Sequence, residues 1–552
     1  MRPLMVTSIG VTCAAALTLP LAAPALSAPV PHASSARPPS AAPQSPGAGP
    51  PAAPAAPAAP AAPAAPAAPA TPAAPAAPAT HAGSAPTEST PTDSRTATGA
   101  PAGEPDDSGE PDDRSAGVAG STQSLPLERL AASSDRSAAP APGRGLDRRT
   151  TRPFSLVGVV WDDAEAELHG TVQVRTRAAG GERWSNWQDV ETHNDEHAAD
   201  LGSDERASGA VRGSTAPLWV GASDGVEVRV HPEAADEEGR SIAVRLPEGL
   251  RLELVDPGPD PATESAPAGQ AGAVPGGRTS ATPASLPVRP GPPPAGTAAV
   301  VPETLTAASA AASAVNAEFA PLGASLIPAM TQAETAEAAA EAAEEAVGAK
   351  PYIGPRPGII TRKGWGADEK LRERNFAYTK TVKAAFVHHS ATGNNYTCKQ
   401  APSVLRSIYR YHVKSSGWRD FGYNFAVDKC GNIYEGRAGG VSRAVLGAHT
   451  LGFNTNTMGI AVLGSYSSTN PPAAAVTAVA KLTAWKLGLF GRNPKGKVTL
   501  VSGGSNKYAK GKKVKMNVIS GHRDGFATEC PGARLYKKLG TARTSSAHLQ
   551  GR

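Results

Sequence analysis

Long apolar runs are almost absent from this chain of 552 residues. Only the first 28 residues hold one: Arg2 precedes LMVTSIGVTCAAALTLPLAAPALSA, and Pro20 and Pro24 interrupt it short of the roughly 20 residues that a spanning helix needs. Small residues at its end suit a signal peptidase, so cleavage after Ala25 or Ala28 and export are predicted. Cys13 follows Thr12, which is not the small residue that lipidation at this cysteine requires. Nothing further along is long and apolar enough to cross a bilayer, so no stable membrane insertion is expected once the leader is removed. Bulky apolar residues are nearly missing from 29–150, where Pro, Ala, Ser and Gly dominate and PAAPAAPAAPAAPAAPAAPATPAAPAAPAT runs from 51 to 80. Such a segment cannot bury enough surface to offset its ordering entropy. It is predicted to be a disordered tether, extended in polyproline fashion at about 3.1 Å per residue.

Acidic residues are scarce in the last 200 residues or so. From residue 351 onward there are 32 Lys or Arg against 8 Asp or Glu, whereas residues 1–350 carry 22 against 41. A basic exported domain is attracted to polyanions, of which nucleic acid, an anionic membrane and bacterial wall polymers are examples. The lysines are scattered, and GKKVKMN has no interleaved aromatics, which argues against nucleic acid.

Cysteine is scarcer still: four in all. Discounting Cys13 leaves Cys398, Cys430 and Cys530, an odd number that implies either one disulfide plus one special cysteine or three free thiols.

Between the low-complexity stretches, residues 151–256 contain FSLVGVVW, GTVQVRTR, LWVGA, GVEVRVH, SIAVRL and LRLELV, short segments many of which alternate with polar residues and which are separated by Gly- and acid-rich turns. They predict an all-β, sandwich-like domain. Its Trp161, Trp184, Trp187 and Trp219 fit core aromatics better than a sugar-stacking platform, and no catalytic cluster is visible there. Residues 257–350 read as a second linker, in which ETAEAAAEAAEEAVGAK predicts a solvated helix over 334–350.

Residues 351–545 alternate strand and helix signals, followed by a short tail at 546–552. TVKAAFVHHSA reads as a buried strand, SVLRSIYRYHVK as a helix entered through Pro402, NFAVDK and IYEG as strands around a CGN turn, MGIAVLG as a strand, 472–490 as a long helix, and VKMNVIS as a strand ending at Gly521 and His522. The prediction is an α/β domain with a mixed sheet flanked by helices. Side chains alternate along a strand, so only one of His388 and His389 can share a site with His522 and with Cys530 in SGHRDGFATECPG. Two imidazoles and a thiolate match a catalytic zinc site with its fourth position left to water. No fourth ligand stands at suitable spacing. His412 and His548 read as ordinary hydrogen-bonded histidines.

The blocks FVHHSATG, GWRDFGYNFAVDKCGNIYEGR, GAHTLGFNTNTMGIAVLG and GHRDGFATECPG, in this order, resemble the zinc amidase family that includes peptidoglycan recognition proteins and phage lysozymes of the N-acetylmuramoyl-L-alanine amidase type. The resemblance covers roughly residues 355–540; the leader, tether and β domain are more loosely similar to exported actinobacterial amidases. It implies zinc held by His388, His522 and Cys530, with His389 structural. Tyr423 matches the family tyrosine beside the reacting water. Thr528 stands where the phage enzymes carry lysine and where active animal members carry a similar residue, which implies an oxyanion held without an ammonium group. His449 and Asn454 match a segment lining the substrate groove. Arg437 and Arg443 are candidates for forked contacts to stem-peptide carboxylates. A Cys398–Cys430 disulfide is expected between a helix and a strand that neighbour each other.

The implied activity is hydrolysis of the amide between the muramic acid lactyl group and L-alanine by a secreted, monomeric enzyme whose partner is peptidoglycan, with anionic wall polymers as a further candidate. The alternative is a module of the same fold that binds peptidoglycan without cutting it. A structural wall protein built around the Pro-Ala arm is a third reading.

Overall fold

The structure, a computed structural model, describes residues 120–130, 143–194, 196–233, 245–260, 305–341 and 352–552. The predicted leader, the Pro-Ala repeat and the end of the predicted 334–350 helix lie outside the described residues.

The N-terminal domain is all-β, as its alternating segments require. Its strands are β1 (Ser121–Pro126), β2 (Glu128–Arg129), β3 (Arg144–Trp161), β4 (Gly170–Ala178), β5 (Gln188–Val190), β6 (Gly213–Ser214), β7 (Leu218–Pro232) and β8 (Arg251–Asp256). Hydrogen bonding runs continuously in the order β1-β8-β3-β7-β4-β5, with β2 and β6 attached to β3. Register shifts between β3 and β7 near Leu146, Thr150 and Phe154 bend these long strands, so that both their ends deliver side chains such as Leu146, Val159, Leu218 and Val228 to one core. The described part of the domain already starts at 120 with β1 close behind it, about 30 residues before the expected boundary at 151, so the predicted tether ends earlier than expected. The signal there is weak because STQSLP is polar on both faces: β1 is held by full antiparallel pairing to β8 rather than by its own apolar face. Trp161 and Trp219 are buried, as expected of core aromatics. Trp184 and Trp187 are half-buried and lie under guanidinium groups, Arg148 at 5.1 Å from Trp184 and Arg229 at 4.2 Å from Trp187.

A short helix α1 (Asp204–Ala207) interrupts the excursion between β5 and β6. After the next undescribed stretch come α2 (Ala307–Ala314), β9 (Leu326–Ile327) and α3 (Gln332–Glu341), where a linker was expected. This segment belongs to the second domain: Ile327 and Ala320 are in its core, and β9 pairs with β10 (Ile359–Ile360) at the edge of its sheet. The α3 helix is not merely solvated, since Thr335 is buried and accepts a hydrogen bond from Arg356 N at 3.0 Å.

The second domain continues through α4 (Arg362–Trp365), β11 (Ala384–His389), α5 (Ala401–Arg410), β12 (Phe425–Val427), β13 (Ile433–Glu435), β14 (Thr457–Val462), α6 (Ala473–Leu489), β15 (Lys497–Val501), β16 (Lys513–Asn517), β17 (Ile519–Gly521) and α7 (Ala533–Leu549). Its seven-stranded mixed sheet has the order β17-β11-β14-β12-β13-β10-β9. β11, β14 and β17 are fully buried, which is why they read as continuous apolar runs. VKMNVIS is two strands rather than one, because β16 pairs with β15 in a separate hairpin and only β17 joins the main sheet. α7 extends to Leu549, so most of the expected tail is helix. Among the described residues, no helix is long and apolar enough to cross a membrane.

The two domains share a core. After α5 the chain makes one wide π turn, Tyr411–Ser415, and Leu156, Val160, Trp219 and Val255 of the β domain pack with Val404, Ile408, Tyr411 and Phe421. Gly158 permits this approach: a Cβ there would collide with the Tyr411 ring. The Tyr411 hydroxyl donates to Thr215 O at 3.0 Å, and Ser415 donates to the Glu253 carboxylate at 2.8 Å.

Candidate metal and catalytic site

The sheet register brings the two histidines together. β11 and β17 run parallel with Val387 opposite Gly521, so the next residues, His388 and His522, emerge side by side at the C-terminal edge, where ligands of such sheets bind. The loop after His522 returns Cys530 to the same point, ahead of a cis Cys530–Pro531 bond. Cys530 Sγ lies 3.8 Å from His388 Nδ1. His388 is steadied by its other nitrogen, 3.4 Å from Thr450 Oγ1. His389 faces away and its Nδ1 accepts from Tyr466 N at 3.4 Å, as its alternate position on the strand requires.

A fourth donor comes from the β domain. His197, in the excursion between β5 and β6, places Nε2 3.2 Å from His522 Nδ1 and 3.5 Å from Cys530 Sγ. The ligand atoms of His197, His388, His522 and Cys530 all lie within 4.8 Å of one another, and all four residues are buried. Zinc bonds of about 2.0–2.3 Å at tetrahedral angles put neighbouring donors roughly 3.3–3.7 Å apart, close to three of the separations seen, at 3.2, 3.5 and 3.8 Å, while all four atoms lie within 4.8 Å. Burial is the main cause holding the three imidazoles well below their ordinary pKa, and therefore neutral with a lone pair to give, while it pushes the Cys530 thiol up. Among the described residues, His197 Nδ1 makes no hydrogen bond and lies 3.9 Å from Glu196 Oε1. Four converging, buried soft donors fit a zinc ion. The sequence offered little warning of His197, a histidine in a polar, acid-rich loop of another domain.

Tyr423 is buried beside the cluster, its ring 5.3 Å from that of His388 and 5.8 Å from that of His197. Thr528 accepts from Cys530 N at 3.0 Å, and its hydroxyl donates to Glu196 Oε1 at 2.7 Å. His449 is buried beneath the site rather than lining an open groove, with its ring 5.3 Å from His388 and Nδ1 3.0 Å from Thr450 Oγ1. A Cβ at Gly459 would strike this ring. Asn454 shapes the same loop by accepting from His449 N at 2.7 Å and Thr450 N at 3.0 Å, and its amide donates to Asp200 at 2.7 Å. Arg437 does form a fork with a carboxylate, but the carboxylate is Glu205 of α1, at 2.8 Å through both amino nitrogens. Arg443 is exposed and stacks on Tyr378 at 4.1 Å. Cys398 and Cys430 form the expected disulfide, with Cα atoms 6.1 Å apart. His412 is ordinary as expected, stacked on Trp418 at 4.3 Å and accepting from Gly422 N.

A mixed α/β sheet thus carries a buried cluster of His and Cys donors at its C-terminal edge. Residues 378–533 match the N-acetylmuramoyl-L-alanine amidase family, and residues 111–267 match the Rv3811 N-terminal galactose-binding domain-like family. The chain belongs to the N-acetylmuramoyl-L-alanine amidase family, which here includes the peptidoglycan recognition proteins. It is 30% identical over 185 residues to peptidoglycan-recognition protein SC2 of Drosophila melanogaster, covering 33% of this chain and 85% of that one. It is 31% identical over 219 residues to the Homo sapiens N-acetylmuramoyl-L-alanine amidase, covering 38% of this chain and 32% of that protein. Among solved structures, Drosophila PGRP-LB is 25% identical, with 33% of this chain and 92% of that chain covered and a TM-score of 0.27.

Proposed function

We propose that the chain is an exported, zinc-dependent N-acetylmuramoyl-L-alanine amidase that hydrolyses the amide between the muramic acid lactyl group and the L-alanine of the stem peptide. The observation that carries this reading is the convergence of His388, His522 and Cys530 at one sheet edge, within a domain whose relatives bear amidase and peptidoglycan-recognition names. When bound, zinc supplies Lewis-acid polarisation of a carbonyl and lets water act as a nucleophile near neutral pH. The chain's own residues position these partners. Thr450 orients His388, and Thr528 orients the Cys530 backbone while offering a hydroxyl to a developing oxyanion. Tyr423, kept neutral by burial, presents a phenol as a second donor.

The test is metal content together with mass spectrometry of digests of purified sacculi, on the full chain and on His197→Ala, each with and without Cys530→Ala. Free stem peptide and intact glycan are expected from at least one of the two parents, with Cys530→Ala lowering that release about a hundredfold or more and reducing bound zinc. If neither zinc-loaded parent releases stem peptide, the enzyme reading fails.

A further inference from the structure

We propose that residues 196–205 are a built-in blocking strap, in which His197 closes the metal site as its fourth ligand and the flanking residues occupy the groove that a substrate must enter. The proposal rests on the amidase reading, because three-ligand metal chemistry needs the fourth corner open.

Three observations, independent of one another, carry it. First, His197 Nε2 stands 3.2 Å from His522 Nδ1 and 3.5 Å from Cys530 Sγ, inside the same cluster of donor atoms as His388. Second, the neighbouring residue takes the hydroxyl assigned to oxyanion support: Thr528 donates to Glu196 at 2.7 Å, while Glu196 O accepts from Leu451 N at 2.9 Å. Third, the strap's carboxylates occupy hydrogen-bond donors of the second domain. Asp200 accepts from Gly452 N at 2.8 Å and from the Asn454 amide at 2.7 Å, and Glu205 is clamped by Arg437. These are donors suited to the carboxylates and carbonyls of an acidic peptide.

The strap is not part of the β-domain core. It leaves the sheet after β5, returns at β6, and between them exposes Leu201 and residues 207–210. Gly202 and Gly209 take left-handed backbone angles with open space around them, so both turns are at the surface. A segment anchored at both ends competes with an incoming ligand at an effective concentration of about a millimolar or more. The folded chain is therefore latent, and displacement or cleavage of the strap opens it.

The test uses the full chain loaded with cobalt(II), whose visible spectrum reports the ligand set, titrated with azide as a small external ligand. The wild type is expected to bind one cobalt and to show a spectrum that azide leaves unmoved. His197→Ala is expected to keep cobalt and to bind azide at least about tenfold more tightly. A second variant, Asp200→Asn with Glu205→Gln, keeps the imidazole but unties the strap, and an intermediate azide affinity is expected; it carries the test if His197→Ala does not fold. Equal azide affinity in wild type and in both variants overturns the strap proposal whether or not stem peptide is released. Azide binding confined to the variants, with no release of stem peptide by any of them, upholds closure and removes the amidase reading alone.

Discussion

Arg437 shows what single residues disclosed and what they withheld. A guanidinium in this position was expected to grip a carboxylate, and it does, but the carboxylate is the chain's own Glu205. Burial alone would raise the Glu205 pKa, yet the Arg437 charge and fork, assisted by Arg419, hold it below the ordinary carboxylate range, while His412 faces the same pair. A depressed carboxylate pKa contributes stability that is present above the unfolded value and is lost as pH falls through the folded one. Glu205→Gln should therefore lower stability by about 3 kcal/mol at neutral pH by stranding a buried arginine. The deficit relative to wild type should hold down to roughly pH 5 and shrink below about pH 4. Thermal melts of both proteins across that range check this, and a deficit that grows on acidification would contradict the assignment.

At the scale of elements, β11, β12, β14 and α6 were legible because they are buried on both faces or carry one unbroken pattern. His522, Cys530 and one of His388 and His389 were legible because strand ends and a following loop confine them to one edge, and the choice of His388 came from the family resemblance. His197 was not, since its position depends on how a second domain docks and no local pattern encodes that. β1 and β9 were missed for a related reason: a polar or two-residue strand exists only because a partner strand offers a ladder. The Cys398–Cys430 bond joins the turn before α5 to the turn between β12 and β13, across a separation of 32 residues. Closing a loop of that length constrains the unfolded chain by about 3–4 kcal/mol. Both cysteines sit at or near the surface, so replacing them with serine leaves no cavity. Cys398→Ser with Cys430→Ser should lower the unfolding free energy by that amount while leaving the metal content unchanged. Loss of metal together with the disulfide would instead tie the bond to the site itself.

For the whole molecule, the shared core decides whether the β domain is an accessory. Leu156, Val160, Trp219 and Val255 are buried against the second domain, and full burial of such side chains contributes roughly 1.5–3 kcal/mol each as an upper estimate. The described domains should then unfold together. Residues 305–341 matter as well, because Asn316 donates to Glu435 at 2.8 Å and accepts from Val441 N at 2.8 Å, both in the interior. A fragment beginning at 352 loses those partners and strand β9, leaving buried polar groups unpaired at about 1–3 kcal/mol each. A fragment beginning at 305 keeps them and loses only the β domain. The expected order of thermal midpoints is the full chain, then 305–552, then 352–552, with the full chain melting in one transition. A 352–552 fragment as stable as the full chain would mean that neither the domain interface nor the β9 segment supports the fold, and the strap would then be carried by a domain free to leave.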